Sequence, residues 1–281
     1  MSSWQTANPP TTDWEFELSP RPIRLTRIEQ ENYRVATFTF DASIQARPGQ
    51  YGMFWLPGID EKPFSLVNDD PLTITVAAVG AFTRALHALQ PGAAVGFRGP
   101  FGVPFTQQGQ NVLLAGGGYG VAPLLFFARR VMRAGGRVRM VTGARIADDL
   151  LYVRQFEEAG CPIIATTDDG SYGRPGLASV AVAEWLVEER PGCIYGCGPE
   201  GLLVALATLA AEHDIPAQLS VERYFKCSVG ICGQCTVGEL LACVDGPVIA
   251  SDRLLAQDDF GRYHRIRTGA RVPIGHGLPA G

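Results

Sequence analysis

Four cysteines, Cys227, Cys232, Cys235 and Cys243, fall in one short segment, VERYFKCSVGICGQCTVGELLACVDGP, with the spacing C-x4-C-x2-C-x7-C. This grouping constrains the chain more than any other feature. The chain has seven cysteines in all, and an odd number makes a poor disulfide framework. A tight cluster of thiols reads instead as metal or redox chemistry. Its first three positions match the plant-type [2Fe–2S] spacing, in which a loop wraps two irons held by four thiolates. Gly230 and Gly233 suit a backbone that bends sharply and turns its N–H groups toward sulfide. Soft thiolates favour iron–sulfur or zinc over magnesium or calcium. Zinc stays open as the alternative, although zinc knuckles show two well-separated cysteine pairs and no histidine intervenes here. Cys161, Cys193 and Cys197 are scattered beside or within apolar segments.

Ahead of this cluster the pattern changes once. Arg24–Glu29, Tyr33–Asp41, Tyr51–Leu56, Leu72–Ala78 and Ala94–Arg98 are short runs rich in Val, Thr and aromatics, separated by Gly, Pro and Asp turns. They predict a small β-barrel, with one short helix at Thr83–Leu89. After Pro104 strands and helices alternate, beginning with the strand Asn111–Ala115 and the helix Pro123–Ala134, which predicts βαβ units on a parallel sheet. LLAGGGYGVAPLL places Gly116, Gly117, Gly118 and Gly120 between that strand and that helix. Free N–H groups at the helix start would suit a dinucleotide pyrophosphate. The turn is not a regular Rossmann fingerprint, because Val121 holds the third glycine position and no acidic residue follows about 20 positions on. Close strand–helix packing is the other reading. A second turn, Tyr195-Gly196-Cys197-Gly198-Pro199-Glu200, follows the last strand at the same sheet edge. Cys197 there either faces a nicotinamide ring or is a small buried residue.

The 281 residues allow two domains, or three with one small, and 46% hydrophobic composition fills a sizeable core. Lys and Arg number 24 against 28 Asp and Glu, a net of −4, which argues against a nucleic-acid footprint or a polybasic membrane anchor. The opening residues show neither a basic n-region nor an apolar run, and glycines and Pro123 break the most apolar stretch, Val112 to Ala128. A cytoplasmic protein without a membrane span is expected.

Together these parts resemble the ferredoxin-reductase superfamily, a Greek-key FAD-binding barrel followed by a nucleotide domain. Arg47-Pro48-Gly49-Gln50-Tyr51 resembles the barrel's R-P-G-Q-F/Y entry, and Lys62-Pro63-Phe64-Ser65 its R-x-Y-S flavin motif. The resemblance implies that Phe64 packs on the isoalloxazine, Ser65 bonds the flavin and Lys62 meets the pyrophosphate. Gly80-Ala81-Phe82-Thr83 resembles G-x-x-T, which holds the flavin phosphates. More narrowly, TTDDGSYGRPG, YGCGPE, VERYFKCSVGICGQC, CVDGPV and FGRYHR resemble the electron-transfer subunits of type B dihydroorotate dehydrogenase. That family implies FAD in the barrel, NAD(H) on the second domain, a C-terminal [2Fe–2S] cluster, and a partner catalytic subunit that carries FMN and interconverts dihydroorotate and orotate, in a heterotetramer. Two departures stand out: Ser228 replaces the family's glycine after the first cysteine, and the gap before Cys243 is short. Short gaps also occur in subunits of cytoplasmic sulfhydrogenases and sulfite reductases, the alternative enzymes. A redox sensor is the non-enzymatic alternative.

The domains expected are an arm at 1–21, the FAD barrel at 22–105, the NAD domain at 106–216, the [2Fe–2S] module at 217–250 and a tail at 251–281. Because the cofactors carry the chemistry, no catalytic acid or base is expected. His87, His213, His264 and His276 are read as surface or tail residues. Asp168 and Asp169 either line the nicotinamide pocket or form a solvated turn. Arg145 would meet a 2′-phosphate if the nucleotide were NADP. The tail is expected to cover the cluster or touch the partner.

Overall fold

The computed structural model describes residues 19–274. The expected arm, apart from its last residues, and His276 lie outside them.

Six antiparallel strands close into a barrel: β1 (Arg21–Gln30), β2 (Val35–Phe40), β3 (Tyr51–Leu56), β4 (Asp60–Asp69), β5 (Leu72–Ala77) and β6 (Ala94–Phe101). Their order is β1-β2-β5-β4-β3-β6. Closure leaves no open sheet edge. Phe38, Phe40, Phe54, Phe97, Leu66 and Ile74 fill the interior and are almost wholly buried. Helix α1 (Ala81–His87) caps one side, with Phe82 and Leu86 packed into this core. The turn-like reading of 57–63 and 68–71 hid β4. Its acidic and proline residues look like loop, yet Pro63 pairs opposite Met53 and Lys62 opposite Phe54.

The second sheet has seven strands in the order β10-β9-β8-β7-β11-β12-β15. They are β7 (Asn111–Gly117), β8 (Arg137–Ala144), β9 (Ile163–Thr167), β10 (Arg174–Pro175), β11 (Cys193–Cys197), β12 (Ala217–Ser220) and β15 (Val248–Ala250). All neighbours run parallel except β12 and β15. Helices α2 (Val121–Arg133), α3 (Val153–Glu158), α4 (Ala178–Glu188) and α5 (Glu200–Glu212) form the crossovers. The strand order reverses between β7 and β11. A crevice opens at such a switch point, beyond the carboxyl ends of the strands, where both glycine turns lie.

The segment 217–250 is stitched into this sheet at both ends, since β12 pairs with β11 and β15 with β12. The cysteine loop is therefore an excursion between two sheet strands, carrying the hairpin β13 (Thr236–Val237) and β14 (Leu240–Leu241). The chain after it is folded. Helix α6 (Ser251–Leu255) and Phe260 join the core, and the hairpin β16 (Tyr263–Arg265) and β17 (Arg271–Pro273) follows. Arg265 Nε donates to Thr236 Oγ1 at 2.8 Å, which draws this hairpin against the cysteine module. No helix among the described residues is long and apolar enough to cross a membrane.

Candidate functional site

The two glycine turns meet at the switch point, and their glycines are what let them meet. A Cβ on Gly120 would lie 2.7 Å from the Cys197 carbonyl oxygen and from the Gly198 nitrogen. One on Gly117 would lie 2.8 Å from Pro199 Cδ. Gly116 serves strand–helix packing instead, its missing Cβ facing Leu124, Val121 and Met140 at 3.0 to 3.1 Å. In front of the paired turns lies a cleft of about 720 Å³ lined by Gly117, Gly118, Gly143, Asp168, Gly198 and Pro199, with Arg34 from the barrel. Asp168 thus faces the cleft, whereas Asp169 accepts from Ser171 N at 3.0 Å and forms the turn. Arg145 also borders the cleft and stands 3.7 Å from Asp149.

A second cavity of about 230 Å³ lies between barrel and sheet. Tyr51, Pro63, Phe64, Ser65 and Thr83 line it from the barrel, and Gly120, Cys197 and Gly198 from the sheet. Gly80 starts α1, where Thr83 Oγ1 accepts the N–H groups of Gly80 at 2.8 Å and Val79 at 2.9 Å. Burial pushes the Cys197 thiol up to about 12, so it stays neutral.

Four of the residues expected at the flavin, Arg47, Gln50, Lys62 and Gly80, line neither cavity. Gln50 Oε1 accepts from Arg47 N at 2.9 Å and Gln50 Nε2 donates to Gly102 O at 2.9 Å, so this pair closes the RPGQ turn. Lys62 Nζ pairs with Asp60 at 3.0 Å and lies over the Tyr224 ring. The lysine is thus engaged locally, whereas the Arg47 side chain is exposed.

The cysteine loop puts its thiols in two pairs, Cys227 beside Cys232 and Cys235 beside Cys243. Cys235 and Cys243 are buried, Cys227 half-buried and Cys232 exposed. Among the described residues no group of three or more His, Cys, Asp or Glu side chains is arranged around a single metal ion. Backbone N–H groups point at sulfur: Val229 N lies 3.5 Å from Cys227 Sγ and Gly230 N 3.3 Å from Cys243 Sγ. Burial works to raise the Cys227 thiol, but the N–H groups of Val229, Cys232 and Ile231 outweigh it and bring it down to about 6. Burial, reinforced by Cys235, pushes Cys243 up to about 12. Paired soft donors with N–H groups turned toward sulfur fit an iron–sulfur group.

The barrel reaches this loop through two side chains. Arg98 clasps Glu61 with both prongs, at 2.6 and 2.7 Å, and donates to the Cys227 carbonyl at 3.0 Å. Tyr51 packs its ring 4.6 Å from that of Phe225, just upstream of Cys227. Burial raises its phenol above the tyrosine range, and the nearby Cys243, Cys235 and Cys227 add to the effect.

Several residues of the site escaped the sequence reading. Arg223 pairs with Glu200 at 2.7 Å, the two side chains only 1% and 10% exposed. Glu200 also accepts from Gly261 N at 3.0 Å, tying α5, the cysteine loop and the C-terminal hairpin together. His264, read as a tail residue, is buried and lines the larger cleft, because the hairpin folds back over it. Glu222 and Tyr119 stand where the two cavities adjoin. Crowding by protein raises the Glu222 carboxyl, with Arg223 opposing and Glu200 adding. No local sequence pattern signals these residues, which distant segments of the chain bring together.

Residues 222–255 match the iron-sulfur cluster binding domain of dihydroorotate dehydrogenase B, and residues 114–207 the oxidoreductase NAD-binding domain. A dihydroorotate dehydrogenase B (NAD(+)) electron transfer subunit of Methanocaldococcus jannaschii is 39% identical over 90% of this chain and 98% of its own length. One of Methanothermobacter thermautotrophicus is 41% identical over 90% of this chain and 97% of its own. Among solved structures, an NADH-dependent reduced ferredoxin-NADP oxidoreductase studied for flavin-based electron bifurcation superposes with a TM-score of 0.74 at 28% identity, covering 84% of this chain and 92% of that one. The cytochrome b5 reductase domain of Ulva prolifera nitrate reductase shares the fold, with a TM-score of 0.60 at 15% identity over 70% of this chain and 93% of that one.

Proposed function

This chain belongs to the family of dihydroorotate dehydrogenase B electron-transfer subunits, and from that membership and the geometry of its cavities we propose how its parts divide the work. It is an oxidoreductase component that carries electrons between NAD(H) and a catalytic partner subunit. NAD(H) is assigned to the larger cleft, the ring of FAD to the smaller cavity and a [2Fe–2S] cluster to Cys227, Cys232, Cys235 and Cys243. The observation that carries the assignment is a pair of shared walls. Tyr119, Gly198, Glu222 and Arg223 line both cavities. Tyr51 and Phe225 line the smaller one and continue into the cysteine loop.

Bound flavin exchanges electrons in pairs with a nicotinamide and singly with an iron–sulfur cluster, and supplies that conversion here. The residues of this chain bind and orient. The turn Gly117, Gly118 and Tyr119 that leads into α2 lines the cleft, and its backbone N–H groups suit a pyrophosphate. Phe64, stacked 5.9 Å from Phe82, offers an apolar wall to the flavin ring. Neutral Cys197 lines the smaller cavity on its sheet side and would add no charge beside a bound ring. Two thiol pairs, one for each iron, favour a two-iron cluster over a single zinc.

The partner proposed is an FMN-containing subunit that oxidises dihydroorotate to orotate in pyrimidine biosynthesis. The exposed Cys232 supports its docking at the loop tip, where Ile231 is 84% and Val244 54% exposed. Apolar side chains grouped at the surface mark interaction sites. Seven free cysteines suit the reducing cytoplasm, the compartment proposed. The test is anaerobic purification with measurement of FAD, iron and acid-labile sulfide per chain. One FAD, two irons and two sulfides are expected. One zinc without sulfide would overturn the cluster assignment, and absence of flavin after reconstitution the barrel assignment.

A further inference from the structure

We infer that the hydroxyl groups of Tyr51 and Ser228 donate hydrogen bonds to sulfur atoms of the iron–sulfur group on the cysteine loop, and thereby raise its reduction potential. The inference rests on the assignment of that group to the four cysteines and adds the residues that tune it.

Both hydroxyls are buried and neither has a hydrogen-bond partner of good geometry. Tyr51 is 3% and Ser228 4% exposed, so water does not readily serve them. A buried hydroxyl without an acceptor is costly, and folded proteins rarely retain one without a reason. The two hydroxyls lie within reach of each other, a pairing that still leaves one of their two protons to donate elsewhere, and the Cys243, Cys235 and Cys227 thiols act on the phenol through their charge. The sulfur atoms that an iron–sulfur group would bring to this loop are the acceptors inferred.

Ser228 is unfavourable on a second count. Its φ is +64°, the left-handed region that glycine enters freely and serine does not. Glycine is what the backbone alone would select at this position. Serine here bears backbone strain and an orphaned hydroxyl together, and a sulfur acceptor accounts for both. Backbone N–H groups of Val229 and Gly230 already serve Cys227 and Cys243. The nearby Arg98 is occupied by Glu61 and two backbone carbonyls. The hydroxyls thus keep a proton to donate beside the loop. Donation to sulfur stabilises the more negative, reduced state of such a cluster, and hydrogen bonding is one of the controls on its potential.

The test is a redox titration of the purified holoprotein, following the reduced cluster by electron paramagnetic resonance and FAD by absorbance in the same cell. Ser228→Gly removes hydroxyl and strain, Ser228→Ala removes the hydroxyl and keeps the strain, and Tyr51→Phe removes only the phenol oxygen. Each variant is expected to make cluster reduction about tenfold less favourable, a fall of ~59 mV for a one-electron couple. The two Ser228 variants should shift alike. Wild-type cluster potentials in variants that retain iron and sulfide would overturn the inference, as would a shift in Ser228→Gly absent from Ser228→Ala. If one position loses its cofactor on substitution, the other decides. A wild-type chain that binds no iron or sulfide would refute the cluster assignment itself, a result distinct from an unshifted potential.

Discussion

Glu222 stands where the two cavities adjoin, open to solvent through the cleft yet crowded by protein on its other sides. Burial raises its carboxyl, and Glu200 nearby adds to this against the pull of Arg223. A raised folded-state value favours the protonated form in the folded chain. The resulting stability is complete below the unfolded glutamate value of about 4.3 and is lost as pH rises through the folded value. Glu222→Gln should remove that dependence. Melting temperature plotted against pH is expected to fall more steeply for the wild type than for the variant above the ordinary glutamate range; parallel curves would contradict it. At this scale the sequence was informative where chemistry ties spacing to geometry. Thiols that share one loop announce themselves by their spacing, so Cys227, Cys232, Cys235 and Cys243 could be read. Glu222, Arg223 and His264 owe their places to contacts between distant segments, and no local pattern announces them. Arg47 and Lys62 show the opposite difficulty. Their motifs were legible, but Asp60 engages Lys62 and the Arg47 side chain is exposed.

Among elements, the two glycine turns carry the largest structural demand. Gly120→Ala would drive a methyl group into backbone atoms of Cys197 and Gly198 at 2.7 Å, which a side-chain shift cannot relieve. A loss of about 1–3 kcal/mol is expected from such overpacking, seen as a lower urea midpoint and weaker nucleotide binding. Gly118→Ala is the comparison. Its added methyl meets open space and only the φ of +53° opposes it, at roughly 1 kcal/mol. Equal losses in the two variants would contradict the account of the paired turns. The strand–helix alternation from Asn111 onward was readable because buried parallel strands are apolar runs bounded by glycine. Strand β4 was not, because Pro63 and the acids around it carry turn chemistry while barrel closure imposes a strand. The C-terminal hairpin was likewise unreadable, since its short strands gain their stability by packing on the cysteine module rather than from propensity.

For the whole molecule, the order of parts along one line matters more than any single contact: nucleotide cleft, smaller cavity, cysteine loop, exposed loop tip. The barrel and the sheet are joined at both ends of this line, by Tyr33 and Arg34 to Asp149 at 3.0 and 2.8 Å and by Arg98 to the Cys227 carbonyl. The outer end is proposed as the partner face. Ile231→Glu, at an 84% exposed side chain, should change stability by less than about 0.5 kcal/mol. Its binding to the dihydroorotate-oxidising subunit should weaken at least about tenfold, a loss of ~1.4 kcal/mol or more. Calorimetric titration with the purified partner reads this, and undiminished affinity would remove the loop tip from the interface. The central claim is that electrons entering at the nucleotide cleft reach the cysteine loop within this one chain. The most direct measurement is low-temperature electron paramagnetic resonance of the isolated holoprotein after anaerobic addition of NADH. The account predicts bleaching of the flavin together with the signal of a reduced iron–sulfur cluster. Bleached flavin with an intact cluster that stays silent until dithionite, a stronger reductant, is added would contradict it.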